Sequence, residues 1–136
     1  MERWYEEVWN KGRESAIDEM AEPDAVAHGL GEDGGDVVGI DNFKVFFRTF
    51  QSGLSGIRVV VEETITEGDR SVARVTVTAK HTGHTLGLPA KGNDVKFSGV
   101  SIARLKDGKI AEAWNFFDFQ RMYQQMACVR SSSSKK

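Results

Sequence analysis

The chain has 136 residues, 40% hydrophobic and 28% charged, with a net charge of −2. That balance excludes wholesale disorder, a collagen-like chain and the basic excess of a nucleic-acid-binding protein, and no run of ~18 apolar residues is present to span a membrane. The length suits one domain that buries its own core.

The acidic N-terminus, Met1-Glu2-Arg3-Trp4-Tyr5-Glu6-Glu7, lacks the apolar stretch of a signal peptide and the composition of a transit peptide, so the expected compartment is the cytoplasm. Residues 1–10 place Trp4 and Val8 on one helical face, with Tyr5 and Trp9 at its edges, and Asn10-Lys11-Gly12 ends that segment. A short helix is expected over residues 14–20, before Pro23, and residues 25–28 form an extended piece. Residues 31–39 hold four glycines and are expected as a mobile loop. The strongest helix covers residues 40–52, where Ile40, Phe43, Phe46, Phe47, Phe50 and Leu54 recur at helical spacing. Asp41 is placed to cap its start and Gly53 to end it.

The period then changes from helical to alternating. Ile57, Val59, Val61 and Ile65 share one face of a strand, and Glu67-Gly68-Asp69 is a turn. Ala73, Val75, Val77 and Ala79 oppose Arg74, Thr76, Thr78 and Lys80 on the next strand. Two further strands, 95–105 and 109–119, are joined by Lys106-Asp107-Gly108, a strong hairpin signal. A short helix over 118–127 ends the fold. Cys128 is the single cysteine and has no partner for an internal disulfide or a thiolate zinc site. One domain over 1–130 and a disordered, serine-rich tail over 131–136 follow. Helices first and long antiparallel strands after predict an α+β fold: a curved antiparallel sheet wrapped on N-terminal helices as a cone-shaped α+β barrel, with a pocket at the open end.

The stretch Phe97-x-Gly99-x-x-Ile102-x-Arg104-x-x-Asp107-Gly108-Lys109-Ile110-x-Glu112-x-Trp114-x-x-x-Asp118 resembles the SnoaL-like polyketide cyclase (ester cyclase) family. That family has the nuclear-transport-factor-2-like, ketosteroid-isomerase-like fold. Trp9-Asn10-x-Gly12, Pro23-Asp24 with His28-Gly29, and His81-Thr82-Gly83 with Gly87-x-Pro89 agree in order, so the resemblance covers residues 4–126. It implies intramolecular aldol condensation with no metal or cofactor, and an Asp acid/base that looks like Asp118. Arg104 stands where the characterised cyclases carry a His.

Several residues then qualify for a site. Asp118 sits among aromatics, which would desolvate it and suit it to act as a base, but it also immediately precedes a helix and fits an N-cap. Glu112, Trp114 and Phe116 share its parity on the strand and are expected to bind substrate beside it. Arg104 pairs opposite Ile110 and faces inward, where it would stabilise an enolate oxygen, if the hairpin turn has three residues, or pairs opposite Ala111 and faces outward if it has two. Glu112–Arg104 is equally a structural ion pair. His81 continues the apolar face, and would stabilise an enolate oxygen or simply fill the core. His28 is a candidate for the pocket mouth. The expected partners are a small apolar carbonyl-bearing ligand and a second copy of the chain, joined through the convex sheet face. The alternatives are a non-catalytic module for a hydrophobic ligand and a dimeric interaction domain with its cavity filled.

Overall fold

The computed structural model describes residues 1–31 and 34–128. The expected tail, 131–136, lies outside them. Helix α1 (Glu2–Trp4) runs into a π-helical stretch (Tyr5–Asn10), followed by α2 (Ser15–Met20), β1 (Ala21–His28), β2 (Asp36–Val38) and α3 (Ile40–Gly53). Strands β3 (Leu54–Glu67), β4 (Arg70–His81), β5 (Asp94–Lys106) and β6 (Lys109–Phe117) precede α4 (Phe119–Ala127). The stretch expected as a mobile glycine loop therefore contains a strand, β2, paired antiparallel to β1.

Among the described residues the strands form one sheet in the order β2-β1-β6-β5-β4-β3. Every neighbouring pair is antiparallel except β1–β6, which is parallel. Alternation of apolar residues carries no information on strand direction, and the long path from β1 through α3 and β3–β5 supplies the crossover that a parallel pair needs. Strand β3 shifts register against β4 between Ser55 and Arg58 and again between Val61 and Glu63. Such bulges bend and twist a strand, which curves the sheet around the helices. The second one also turns Ile65 outward, 62% exposed, rather than onto the face of Val59.

The concave face carries Ala73, Val75, Val77, Ala79, Val95 and Phe97, all buried. Tyr5 of the N-terminal helix packs with this face, while Val8 of that helix, Ala16 and Ile17 of α2 and Phe47 of α3 form a second buried cluster. Asn10 locks the N-terminal helix in place as a strand residue would: its Nδ2 donates to the Val59 carbonyl at 2.9 Å, and its Oδ1 accepts from the Val59 N–H at 2.6 Å. Helix α3 starts at Gly39 with no side-chain cap, so Asp41 lies within the first turn, where its charge favours the helix dipole. Helix α4 is capped by Asp118 and buries Met122 and Met126 completely, each worth ~1.5–3 kcal/mol.

The β5–β6 hairpin settles where Arg104 goes. Its turn has two residues, Asp107 and Gly108, with φ of 53° and 82°, the left-handed pair of a type I′ turn. Lys106 pairs with Lys109 and Leu105 with Ile110, but a register shift follows and Arg104 pairs with Glu112, not with Ala111. Ala111 is the extra residue of a bulge. It breaks the parity between Ile110 and Glu112, so Ile110 faces the concave side and Glu112 the outer one.

Candidate functional site

A cavity of about 110 Å³ lies between the concave sheet face and the helices. Its wall is mostly apolar, and its large side chains are aromatic: Trp4 and Trp9 from the N-terminal helix, Phe43, Phe46 and Phe50 from α3, Phe97 and Phe117 from the sheet, and Phe119 from α4. Amphipathic spacing puts the α3 rings there, and Trp9 packs within 6.5 Å of Phe43, Phe46, Phe47 and Phe50. From β6 the residues that reach the cavity are Ile110, Ala113, Asn115 and Phe117.

Three polar side chains join this wall, and sequence reasoning missed all of them. Tyr5 Oη is 2.6 Å from Ser101 Oγ, Ser101 donates to Asn115 Oδ1 at 2.8 Å, and Asn115 Nδ2 donates to the His28 carbonyl at 3.0 Å. The His28 carbonyl can only accept, which fixes the Asn115 amide with its oxygen toward Ser101. Ser101 then spends its one proton on Asn115, so Tyr5 donates to Ser101. Burial pushes the Tyr5 phenol up to about 12, against the lowering effect of its bond to Ser101, so it stays protonated. The chain can still offer a ligand the Tyr5 oxygen as acceptor and the second Asn115 N–H as donor. The signal available in the sequence was Ser101, a polar residue at the parity of Val95, Phe97 and Ala103. Tyr5 is 96 positions from Ser101 and gave no such signal.

Four of the expected site residues meet elsewhere, on the outer face. His28 Nε2 is 2.6 Å from Glu112 and His28 Nδ1 is 2.8 Å from Asp36. Arg104 reaches the other oxygen of Glu112 at 3.3 Å, realising the structural ion pair. Trp114 stacks on His28, and the Arg70 guanidinium lies 5.2 Å from its ring centroid. The bond to Glu112, then that to Asp36, raises the His28 pKa, while the bond from His28 and then that from Arg104 lowers the Glu112 pKa. These groups are about a third exposed, so the network is a partly screened surface cluster rather than a buried charge relay.

The expectation that Asp118 and Trp114 share one cavity is corrected by this geometry. Residues 113, 115 and 117 take the inward positions, so Glu112, Trp114 and Phe116 point outward, and Phe116 is 64% exposed. Strand β6 ends at Phe117, so strand parity does not extend to Asp118. Asp118 is exposed and accepts from the Arg121 N–H at 3.1 Å as the α4 cap. It borders a separate outer depression with Ser98, Gly99, Phe116 and Phe117. His81 is fully buried on the concave face opposite Leu54, which lines the cavity, but does not line it itself. Neither His81 ring nitrogen has a side-chain or backbone partner of full hydrogen-bond geometry, and burial lowers its pKa despite some help from the Gly83 backbone. Among the described residues no three His, Cys, Asp or Glu side chains are grouped to hold a metal ion, and no helix is long and apolar enough to cross a membrane.

The family model for SnoaL-like polyketide cyclases matches residues 1–126. A candidate SnoaL-like polyketide cyclase from Jannaschia sp. CCS1 is similar in structure, with 26% identity, a TM-score of 0.82, and coverage of 93% of this chain and 88% of that one. IdmH, a candidate polyketide cyclase from Streptomyces antibioticus, is 22% identical with a TM-score of 0.78, covering 91% of this chain and 94% of its own. TsrD from Streptomyces laurentii is 22% identical with a TM-score of 0.76, covering 90% and 88%. The last two likenesses concern the fold alone. No curated protein matches the sequence.

Proposed function

The chain belongs to the SnoaL-like polyketide cyclase family, and on that premise we propose that its concave cavity binds a small, largely apolar organic molecule by its ring or chain, with one polar end held at Tyr5, Ser101 and Asn115. The observation that carries this is the cavity itself: apolar walls rich in aromatic rings, with a connected set of buried and half-buried polar groups. Ligand sites commonly take that form, apolar surface for affinity and a few placed polar atoms for orientation. An interaction domain with its cavity filled by phenylalanines accounts less well for a remaining space of about 110 Å³.

An Asp118-based cyclase or isomerase reaction on an apolar carbonyl compound is the second reading. Family membership favours it, as does the position of Asp118 between Phe117 and Phe119, both of which line the cavity. Exposure and the capping bond weigh against a desolvated base at this carboxylate. We also propose that two copies of the chain join through the outer sheet face, where Val60 and Phe116 are exposed. A monomer mass in light scattering at micromolar concentration rejects that assembly.

The test is calorimetry with acetophenone, a single-ring ketone, on the wild type, Tyr5→Phe and Asn115→Leu. The reading expects saturable binding at one site, weakened about tenfold in Asn115→Leu, because the ligand loses an N–H donor worth about 1–1.5 kcal/mol. Binding that neither substitution changes contradicts it.

A further inference from the structure

We infer that Phe117 sets the size limit of the cavity and restricts it to ligands of about one aromatic ring. This rests on the reading of the cavity as a small-molecule site. The cavity volume, about 110 Å³, is the first ground. An apolar protein cavity of about 150 Å³ takes benzene, so this smaller space admits at most one ring and no fused second one.

The second ground is how the Phe117 ring is seated. On β6 it faces Gly99 of β5 across the ladder. A Cβ added to Gly99 would lie 2.3 Å from the Phe117 ring, so the ring occupies the space where residue 99 would otherwise project. It meets Phe97 edge-on at 6.4 Å and stacks on Phe119 at 5.7 Å. Phe119 in turn lies 5.8 Å from Phe50 of α3. These rings form one wall between the sheet and the helix. Phe117 is fixed on both sides of that wall, and a dense aromatic cluster does not yield to a larger ligand without losing its own contacts.

The third ground is what lies beyond the ring. Phe117 borders the cavity on one side and, on the other, the outer depression that holds Ser98, Gly99 and Asp118. Shortening this one side chain therefore enlarges the cavity toward existing open space, instead of toward packed core. Of the rings that line the cavity, Phe117 also lines this depression. Phe117 is accordingly the position at which size preference is decided.

The test compares acetophenone with acetonaphthone, its two-ring counterpart, on the wild type, Phe117→Ala and Phe117→Leu, by calorimetry. Met122→Ala, at a fully buried residue that packs in the core without lining the cavity, controls for a general loss of packing. The wild type is expected to bind acetophenone and to discriminate against acetonaphthone by about tenfold or more. Phe117→Ala is expected to reverse that preference, Phe117→Leu to shift it part of the way, and Met122→Ala to leave it unchanged. Phe117→Leu carries the test if the alanine variant does not fold. A wild type that binds acetonaphthone as tightly as acetophenone overturns the size limit, as does an unchanged preference in the folded Phe117 variants. Failure of both ketones to bind the wild type and the variants overturns the small-molecule reading itself, and this inference with it.

Discussion

His28 stacks on Trp114 with ring centroids 5.5 Å apart and planes 26° apart, on the side of the sheet turned away from the cavity. The residue after Trp114, Asn115, faces the other way and reaches the cavity. Adjacent residues on one strand thus serve different surfaces, as the pleat requires. Trp114→Phe is expected to leave acetophenone affinity unchanged, while Asn115→Leu weakens it. Equal losses in calorimetry would mean that the two faces are wrongly assigned.

The outer cluster gives a pH signature. His28 has a raised pKa, so its stabilising charge is fully present below its ordinary value of 6.5 and is lost as pH rises through the raised value. Glu112 has a lowered pKa, so its contribution is present above its ordinary 4.5 and is lost as pH falls through the lowered value. Both are charged between these two ordinary values. In urea titrations, the stability difference between wild type and His28→Gln is expected to be largest there, and to shrink on either side and with added salt. A difference that grows steadily above pH 7 would sink this account of the cluster.

His81 predicts the opposite trend on the acid side. Its pKa is lowered by burial, so the unfolded chain takes up a proton below pH 6.5 before the folded one does, and stability falls as pH falls through that window. His81→Leu removes both the titration and two poorly satisfied ring nitrogens. Thermal melts of that variant are expected to lose their dependence on pH between 6.5 and 5, with stability at pH 5 equal to or above wild type by about 1 kcal/mol. A destabilised variant with the same acid dependence would show that His81 is not the titrating group.

Asp118 is expected to act first through its cap. Asp118→Ala should cost about 1 kcal/mol of stability, whereas Asp118→Asn, a good cap in its own right, should cost little. Chemical denaturation measures both. If a turnover assay is found, loss of activity in a fully stable Asp118→Asn protein would favour the second reading, in which this carboxylate reacts.

Much of the fold was legible from local patterns. The helical spacing of the α3 phenylalanines, the alternation in β4 and the Asp107-Gly108 turn each follow from a few neighbouring residues, and each stands where the pattern puts it. The candidate site was legible only in part. On β6, Ala113, Trp114, Phe116 and Phe117 put apolar surface on both faces, so alternation could not say which face is inner. A one-residue bulge at Ala111 then reversed the parity counted from Ile110, and placed Arg104 beside Glu112 by a route neither simple turn allows. The Tyr5–Ser101–Asn115 chain depends on contacts between distant segments, and its Tyr5 looks like an ordinary helix residue until the fold brings it to Ser101.

The most direct measurement is a crystal structure of the protein soaked with acetophenone. The account predicts density for the ring inside the cavity against Phe97 and Phe117, with the carbonyl oxygen accepting from the second Asn115 Nδ2 N–H. An empty cavity with the ketone bound instead in the outer depression beside Asp118 would contradict it.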